Sequence, residues 1–227
     1  MFEDVRNKVS GLLGDDASGH GMDHIERVYR LAMQFAERER ADKNIVALAV
    51  LLHEVDDYKL FGEESAKNLT NAHRILDSYE TNDETKSKVI EIIRTMGYNK
   101  SLEGVRPNTL EGMIVSDADM CDAIGAIGIL RTHAYNASKG NEFFVRTLGP
   151  ESGVKSASVY RSAKTSHSVQ HFFDKLLNIP SMLMTEAGKQ EGEKRKKIMN
   201  DFLMELFREE DAVIWAEYLR EFNNDSF

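Results

Sequence analysis

The run Ile45-Val46-Ala47-Leu48-Ala49-Val50-Leu51-Leu52 is apolar at every position and opens directly into His53, Glu54, Asp56 and Asp57. A helix that is apolar on every side has no face to give to water, so residues 43–54 are predicted to form a buried helix. One imidazole and three carboxylates then emerge straight from the interior. Desolvated and unpaired, such groups would be strongly destabilising or would be forced to neutralise, so something must compensate them. A bound metal cation is the simplest compensation, because it inverts the local charge balance and accepts both imidazole and carboxylate as ligands.

Helical periodicity dominates the remainder, and strand-like alternation is scarce. Between 22 and 40, Ile25, Val28, Leu31, Ala32, Phe35 and Ala36 recur at three- and four-residue spacing, with Glu26, Arg30, Glu37 and Arg38 opposite. A helix over 63–78 is expected to bury a stripe of Ala66, Leu69, His73 and Leu76. Another runs from Asp83 to Met96, capped by Asn82 or Asp83 and stopped by Gly97. A loop at 104–108 containing Pro107 leads into an apolar helix over about 109–137. Gly125 and Gly128 lie inside that helix, where each costs about 1 kcal/mol relative to Ala, and close packing against a neighbour would rationalise them. Residues 139–156 are the longest Gly- and Ser-rich irregular stretch, a candidate lid or surface loop. Two further helices are expected over about 157–178 and 183–222, separated near Pro180, the second open to further division. The expected fold is all-α, a compact multi-helix bundle.

With 227 residues, 41% of them hydrophobic, and only three prolines, the chain is long enough for one substantial core. A single domain over 1–227 is expected. The lone cysteine, Cys121, excludes an internal disulfide framework and suits a reducing cytoplasm. The start Met1-Phe2-Glu3-Asp4-Val5 carries acid where a secretory signal has a basic segment, and the apolar stretch 112–130 is interrupted by three aspartates. A soluble cytoplasmic protein without membrane contact is expected. A net charge of −9 repels phosphate backbones, which disfavours extended nucleic acid but leaves a small phosphorylated substrate open.

Three places put ionisable groups where the apolar pattern implies core: His20-Gly21-Met22-Asp23-His24, His53-Glu54, and Asp117-Ala118-Asp119-Met120-Cys121-Asp122. A lone buried histidine is more often a hydrogen-bonded core residue than a ligand, and an aspartate inside a helix is often a satisfied polar contact. Together, however, they supply two imidazoles and at least two carboxylates from three helices able to converge. That donor set suits a mixed nitrogen and oxygen site with room for water.

The order and context of these residues resemble the HD-domain metal-dependent phosphohydrolase family, whose pattern is H…HD…D. The corresponding segments are Asp23-His24-Ile25-Glu26-Arg27-Val28, Leu51-Leu52-His53-Glu54-Val55-Asp56-Asp57-Tyr58-Lys59 and Ser116-Asp117-Ala118-Asp119. Two downstream segments, Asp122 to Arg131 and His171-Phe172-Phe173-Asp174-Lys175, are similar to the bacterial single-domain branch that includes nucleotide pyrophosphohydrolases. The likeness extends over roughly residues 18–208.

What the resemblance implies is one divalent ion (Mn, Mg, Fe, Co, Ni or Zn) held by His24, His53, Glu54 and Asp119. Asp119 is preferred to Asp117 because the family's last ligand follows Ala. Position 54 departs from the pattern, since the family has Asp there. The added methylene shifts the carboxylate by about one bond length, large against a metal–ligand tolerance of about 0.2 Å. Glu54 either still ligates, by backbone adjustment or another denticity, or alters metal preference, affinity or activity. Asp57, one helical turn after His53, is assigned as general base or water-orienting group, with Asp56 the more exposed of the two. Lys59, Arg131 and Lys175 are candidates to meet phosphate charge, Lys59 as part of the catalytic set. His171 would donate to a leaving or bridging oxygen, and His20 would bind substrate or support His24. The implied activity is hydrolysis of a phosphoester or phosphoanhydride bond in a small metabolite, a nucleotide foremost. The alternative is a catalytically weakened nucleotide- or metal-binding protein, which Glu54 would favour. Assembly as a homodimer is compatible with either.

Overall fold

Asp42 starts the central helix by accepting hydrogen bonds from the backbone amides of Asn44 and Ile45, satisfying donors that have no partner inside a helix. The apolar residues that follow are all buried, and the helix stops at Leu52, two residues earlier than expected, as His53 begins a turn. The structure, a computed structural model, describes residues 2–14, 21–151 and 167–224. It is all-α as expected, with no strand among the described residues. The chain divides into two compact units, Met1–Asp122 with Leu183–Gly188, and Ala123–Met182 with Lys189–Phe227.

The first unit contains α1 (Glu3–Leu13), α2 (Met22–Glu39), α3 (Lys43–Leu52), α4 (Tyr58–Asn68), α5 (Thr70–Asp77), α6 (Asp83–Thr95), α7 (Tyr98–Leu102) and α8 (Leu110–Asp122). Helices α1, α2, α6 and α8 pack on α3, and α2 also packs on α8. Burying each Val, Leu or Ile side chain of α3 contributes about 1.5–3 kcal/mol, which gives the polar residues at its C-terminal end a rigid base. α1 and α7 are additions to the elements expected from the sequence.

The second unit contains α9 (Gly125–Ser138), α10 (Ser168–Asp174), a 3₁₀ segment Leu176–Met182, α11 (Glu186–Glu209), whose first turn belongs to the first unit, and α12 (Val213–Asn224). Its core surrounds Trp215, whose ring lies 5.5 Å from Phe144, 5.3 Å from His167 and 5.8 Å from Phe173. The indole N–H donates to the Leu148 carbonyl at 2.9 Å, so the ring's one polar atom is satisfied. The described part of the irregular stretch, 139–151, contains no helix, and 152–166 lie outside the described residues.

Two helices expected as continuous are divided. Leu69, with φ 50° in the left-handed region, separates α4 from α5. The break resets the helical register, so Leu69, Ala72, Ile75 and Leu76 are buried while His73 is exposed. The expected helix 109–137 ends at Asp122 and restarts at Gly125. Gly125 has φ 77°, a conformation costly for other residues, and a Cβ on Gly128 would lie 2.4 Å from the Ala123 carbonyl oxygen. These glycines form a break: Gly125 also packs closely against Arg195 of α11, as expected, whereas Gly128 is set against the chain's own backbone.

Within the first unit, Asp117 organises the start of α11. Its buried carboxylate accepts from the amide of Met184 at 2.9 Å, the amide of Thr185 at 2.7 Å and the Thr185 hydroxyl at 2.7 Å. The Thr185 hydroxyl oxygen in turn accepts from the Gly188 amide at 2.9 Å, and Glu39 accepts from the Ala187 amide at 2.8 Å. A Cβ on Gly188 would fall 2.3 Å from the Asp117 carboxylate, so glycine makes room for this approach. Removing the acceptor strands buried donors. Asp117→Ala is expected to lower unfolding free energy by about 3 kcal/mol in urea titration of the metal-free protein. A loss below about 0.5 kcal/mol would show that the carboxylate does not hold this junction.

Candidate metal centre

Three mutually packed helices carry the cluster anticipated from the sequence. His24 lies in the first turn of α2, His53 caps the C-terminus of α3 with Glu54 next to it, and Asp119 lies in the last turns of α8. One ligand atom from each of these four residues can be chosen so that all lie within 4.8 Å of one another. The His24 and His53 Nε2 atoms are 3.2 Å apart. Glu54 Oε1 is 3.4 Å from the His24 nitrogen and 3.5 Å from that of His53, and Asp119 Oδ1 is 3.4 and 3.8 Å from the same atoms.

The partners of the other ring nitrogens fix which atoms face inward. His53 Nδ1 is 2.7 Å from the Val50 carbonyl, which can only accept, so Nδ1 carries the proton and neutral His53 presents a lone pair at Nε2. His24 Nδ1 is 2.8 Å from Asp122 Oδ2, also an acceptor, with the same consequence. Two lone pairs cannot face each other across 3.2 Å without a cation, whether a proton or a metal ion. Burial alone would lower the His24 pKa, but hydrogen bonds to the carboxylates of Asp119, Asp122 and Glu54 prevail and push it up to about 10. Burial acts upward on Asp119, yet His24 and His53 hold its carboxyl below the usual range. The site is therefore built for positive charge.

The donor set fits a divalent metal. Metal–donor bonds of about 2.1 Å place neighbouring ligands about 3 Å and opposing ligands about 4.2 Å apart, close to the spacings here. Glu54, Asp119 and Asp122 contribute three formal negative charges, and Arg27, which donates to Asp122 Oδ1 at 2.8 Å and Oδ2 at 3.1 Å, returns one positive. Two neutral imidazoles then leave a balance of −2. The longer side chain of Glu54 does not carry its carboxylate out of the cluster.

The remaining expected site residues are placed as follows. Asp119 joins the cluster, whereas Asp117, two residues earlier and on another face of α8, caps α11. Asp56 and Asp57 reverse their expected exposures. Asp56 is buried, accepting from the amides of Asn71 at 3.0 Å and Ala72 at 2.9 Å and from the Ser65 hydroxyl, and thereby caps α5. Asp57 is half-buried and caps α4 by accepting from the Lys59 amide at 2.9 Å. Lys59 is exposed beside the Tyr58 ring. Arg131 on α9, His171 on α10 and Lys175 just after α10 belong to the second unit and are each half-buried. His20 lies outside the described residues. Asp122 and Arg27 had no assigned role from the sequence, though each stands three residues after a proposed ligand and so on the same helical face.

The HD domain family matches residues 21–124, an interval enclosing all four cluster residues. YpgQ of Bacillus subtilis is 31% identical over 205 residues, which is 90% of this chain and 91% of that protein. The crystal structure of an HD-superfamily hydrolase from Bacillus thuringiensis is 33% identical, with a TM-score of 0.72 over 93% of this chain and 97% of that one. The crystal structure of Bacillus subtilis YpgQ in complex with ADP gives a TM-score of 0.69 over 92% of this chain and 97% of that one, at 27% identity. The chain belongs to the HD-domain family.

Because His24 must give up a proton to ligate through Nε2, metal uptake is expected to release about one proton per ion at pH 7. Between pH 6 and 9, below the His24 pKa of about 10, apparent affinity should rise about tenfold for each pH unit. Calorimetry of zinc or manganese binding in buffers of different ionisation enthalpy measures the proton count. A pH-independent affinity with no proton release would contradict this electrostatic account.

Proposed function

We propose that the protein is a metal-dependent hydrolase of a phosphoester or phosphoanhydride bond in a small metabolite, with a nucleotide as the favoured substrate. The observation that carries this reading is the pair of inward-facing Nε2 atoms 3.2 Å apart, flanked by the Glu54 and Asp119 carboxylates. A divalent ion held by these four side chains would polarise a phosphoryl oxygen and make water a stronger nucleophile at neutral pH. The B. subtilis YpgQ complex with ADP supports a nucleotide, and the −9 net charge disfavours extended nucleic acid. No helix among the described residues is long and apolar enough to cross a membrane.

Asp57 is the proposed group that orients the water and accepts its proton. Its cap on α4 engages Oδ1 and fixes the side chain, while Oδ2 makes no hydrogen bond among the described residues. Lys59, exposed in the first turn of α4, is proposed to meet phosphate charge as part of the catalytic set. For Arg131, His171 and Lys175 the assignment to phosphate oxygens rests on the family resemblance. The alternative, a catalytically weakened binding protein, rests on Glu54. The distances of 3.4 and 3.5 Å from Glu54 Oε1 to the two imidazoles favour retained metal binding.

A panel of nucleoside mono-, di- and triphosphates and cyclic nucleotides, assayed separately for orthophosphate and pyrophosphate with each candidate metal, tests this reading. Turnover of at least one nucleotide is expected. Asp119→Ala should abolish it, and Asp57→Asn should reduce kcat by about 10²- to 10⁴-fold. Undiminished kcat in Asp57→Asn removes Asp57 from its role. Metal binding without turnover of any substrate in the panel, joined to gained turnover in Glu54→Asp, supports the alternative.

A further inference from the structure

We propose that Asp122 and Arg27 are positioning residues that select the ring nitrogen of His24 offered to the metal, an inference resting on the four-ligand reading above. Neither reaches the cluster as a ligand. Asp122 is 3% exposed, and its carboxylate lies between His24 Nδ1, 2.8 Å from Oδ2, and the guanidinium of Arg27. Arg27 engages the carboxylate with two donors, Nε to Oδ1 at 2.8 Å and Nη2 to Oδ2 at 3.1 Å. This two-point contact fixes the carboxylate plane as well as its position, which a single ammonium would not do. His24 and Arg27 stand three residues apart on α2, so one helical face presents both to a single aspartate of α8.

An acceptor fixed at Nδ1 requires a proton there, so Nε2 is left to ligate. Arg27 supplies an opposite charge and two donors to a carboxylate that little water reaches. The device predicts an unusual outcome for Asp122→Asn. Arg27 donates only, so an amide that keeps its oxygen at the Oδ1 position for the shorter Nε contact turns its NH₂, at the Oδ2 position, toward His24 Nδ1 and gives up the Nη2 contact. An NH₂ donor facing Nδ1 favours the tautomer with the proton on Nε2, which blocks ligation. His53, whose Nδ1 is held independently by the Val50 carbonyl, would keep its lone pair on Nε2.

Zinc affinity by chelator competition and ¹⁵N-histidine NMR of the zinc-loaded full chain test the proposal, with His24 resonances assigned by their loss in His24→Ala. In the natural protein, His24 should show a protonated Nδ1 and a metal-bound Nε2, and His53 the same. Asp122→Asn should bind zinc about 10- to 100-fold more weakly. Its His24 ring should become uncoordinated with the proton on Nε2, a change that a merely structural defect would not produce. Natural affinity and unchanged His24 coordination in Asp122→Asn would overturn the proposal while leaving the metal site intact. If the natural chain binds no stoichiometric zinc, or His53→Ala binds it equally well, the four-ligand reading fails and the positioning role fails with it. Should Asp122→Asn not fold, the natural protein's spectrum decides: coordination of His24 through Nδ1 overturns the proposal, and coordination through Nε2 with Nδ1 protonated upholds it.

Discussion

Two imidazoles whose Nδ1 protons are committed elsewhere, facing each other through Nε2 at 3.2 Å, are the constraint on which the rest of the first unit depends. Such a pair is repulsive by itself. It persists because helix packing imposes it: α3 is buried along its apolar length, α2 and α8 pack on it and on each other, and α2 brings His24, the end of α3 His53 and Glu54, and α8 Asp119. The hydrophobic contribution of α3 is collected along the helix, whereas the electrostatic demand is concentrated at its C-terminal end. A cation at the cluster satisfies that demand and links three helices, so metal binding and local order are expected to be coupled.

The aspartates of α8 divide three tasks among neighbouring positions. Asp117 faces backbone amides and holds the start of α11, Asp119 faces the imidazoles, and Asp122 faces His24 Nδ1 and Arg27. A step of two residues along a helix turns Asp117 away from Asp119, while the three-residue step keeps Asp122 on the side of His24, where it meets Nδ1 rather than Nε2, so the three acids need not compete for one cation. A similar division occurs after α3. Glu54 enters the cluster, Asp56 turns into the protein to cap α5, and Asp57 caps α4.

Much of this was legible in the sequence. The apolar run 45–52 marked the central helix, ionisable groups in an apolar pattern marked the segments 20–24, 53–54 and 117–122, and the family resemblance chose His24, His53, Glu54 and Asp119 among them. What periodicity missed depended on backbone conformation at single residues. Leu69 adopts φ 50° and Gly125 φ 77°, each dividing a segment whose apolar pattern runs on without interruption. Asp56 was expected to be the more exposed of the pair, yet the amides it caps come from residues 71 and 72, a tertiary contact with no local signature. Arg27 and Asp122 did have a signal, their three-residue offset from two proposed ligands. Recognising it required asking what holds each ligand as well as what the ligands hold.

The family places this fold among HD domains, and the side chains of this chain retain a complete donor set despite the glutamate at position 54. That glutamate's carboxylate approaches both imidazoles, so the family resemblance and the local geometry point to the same cation site. The most direct test of that claim is anomalous-difference crystallography of the protein loaded with one equivalent of manganese. The account predicts a single peak bonded to His24 Nε2, His53 Nε2 and the carboxylates of Glu54 and Asp119. A peak elsewhere, or none at this cluster under conditions of stoichiometric binding, would contradict it.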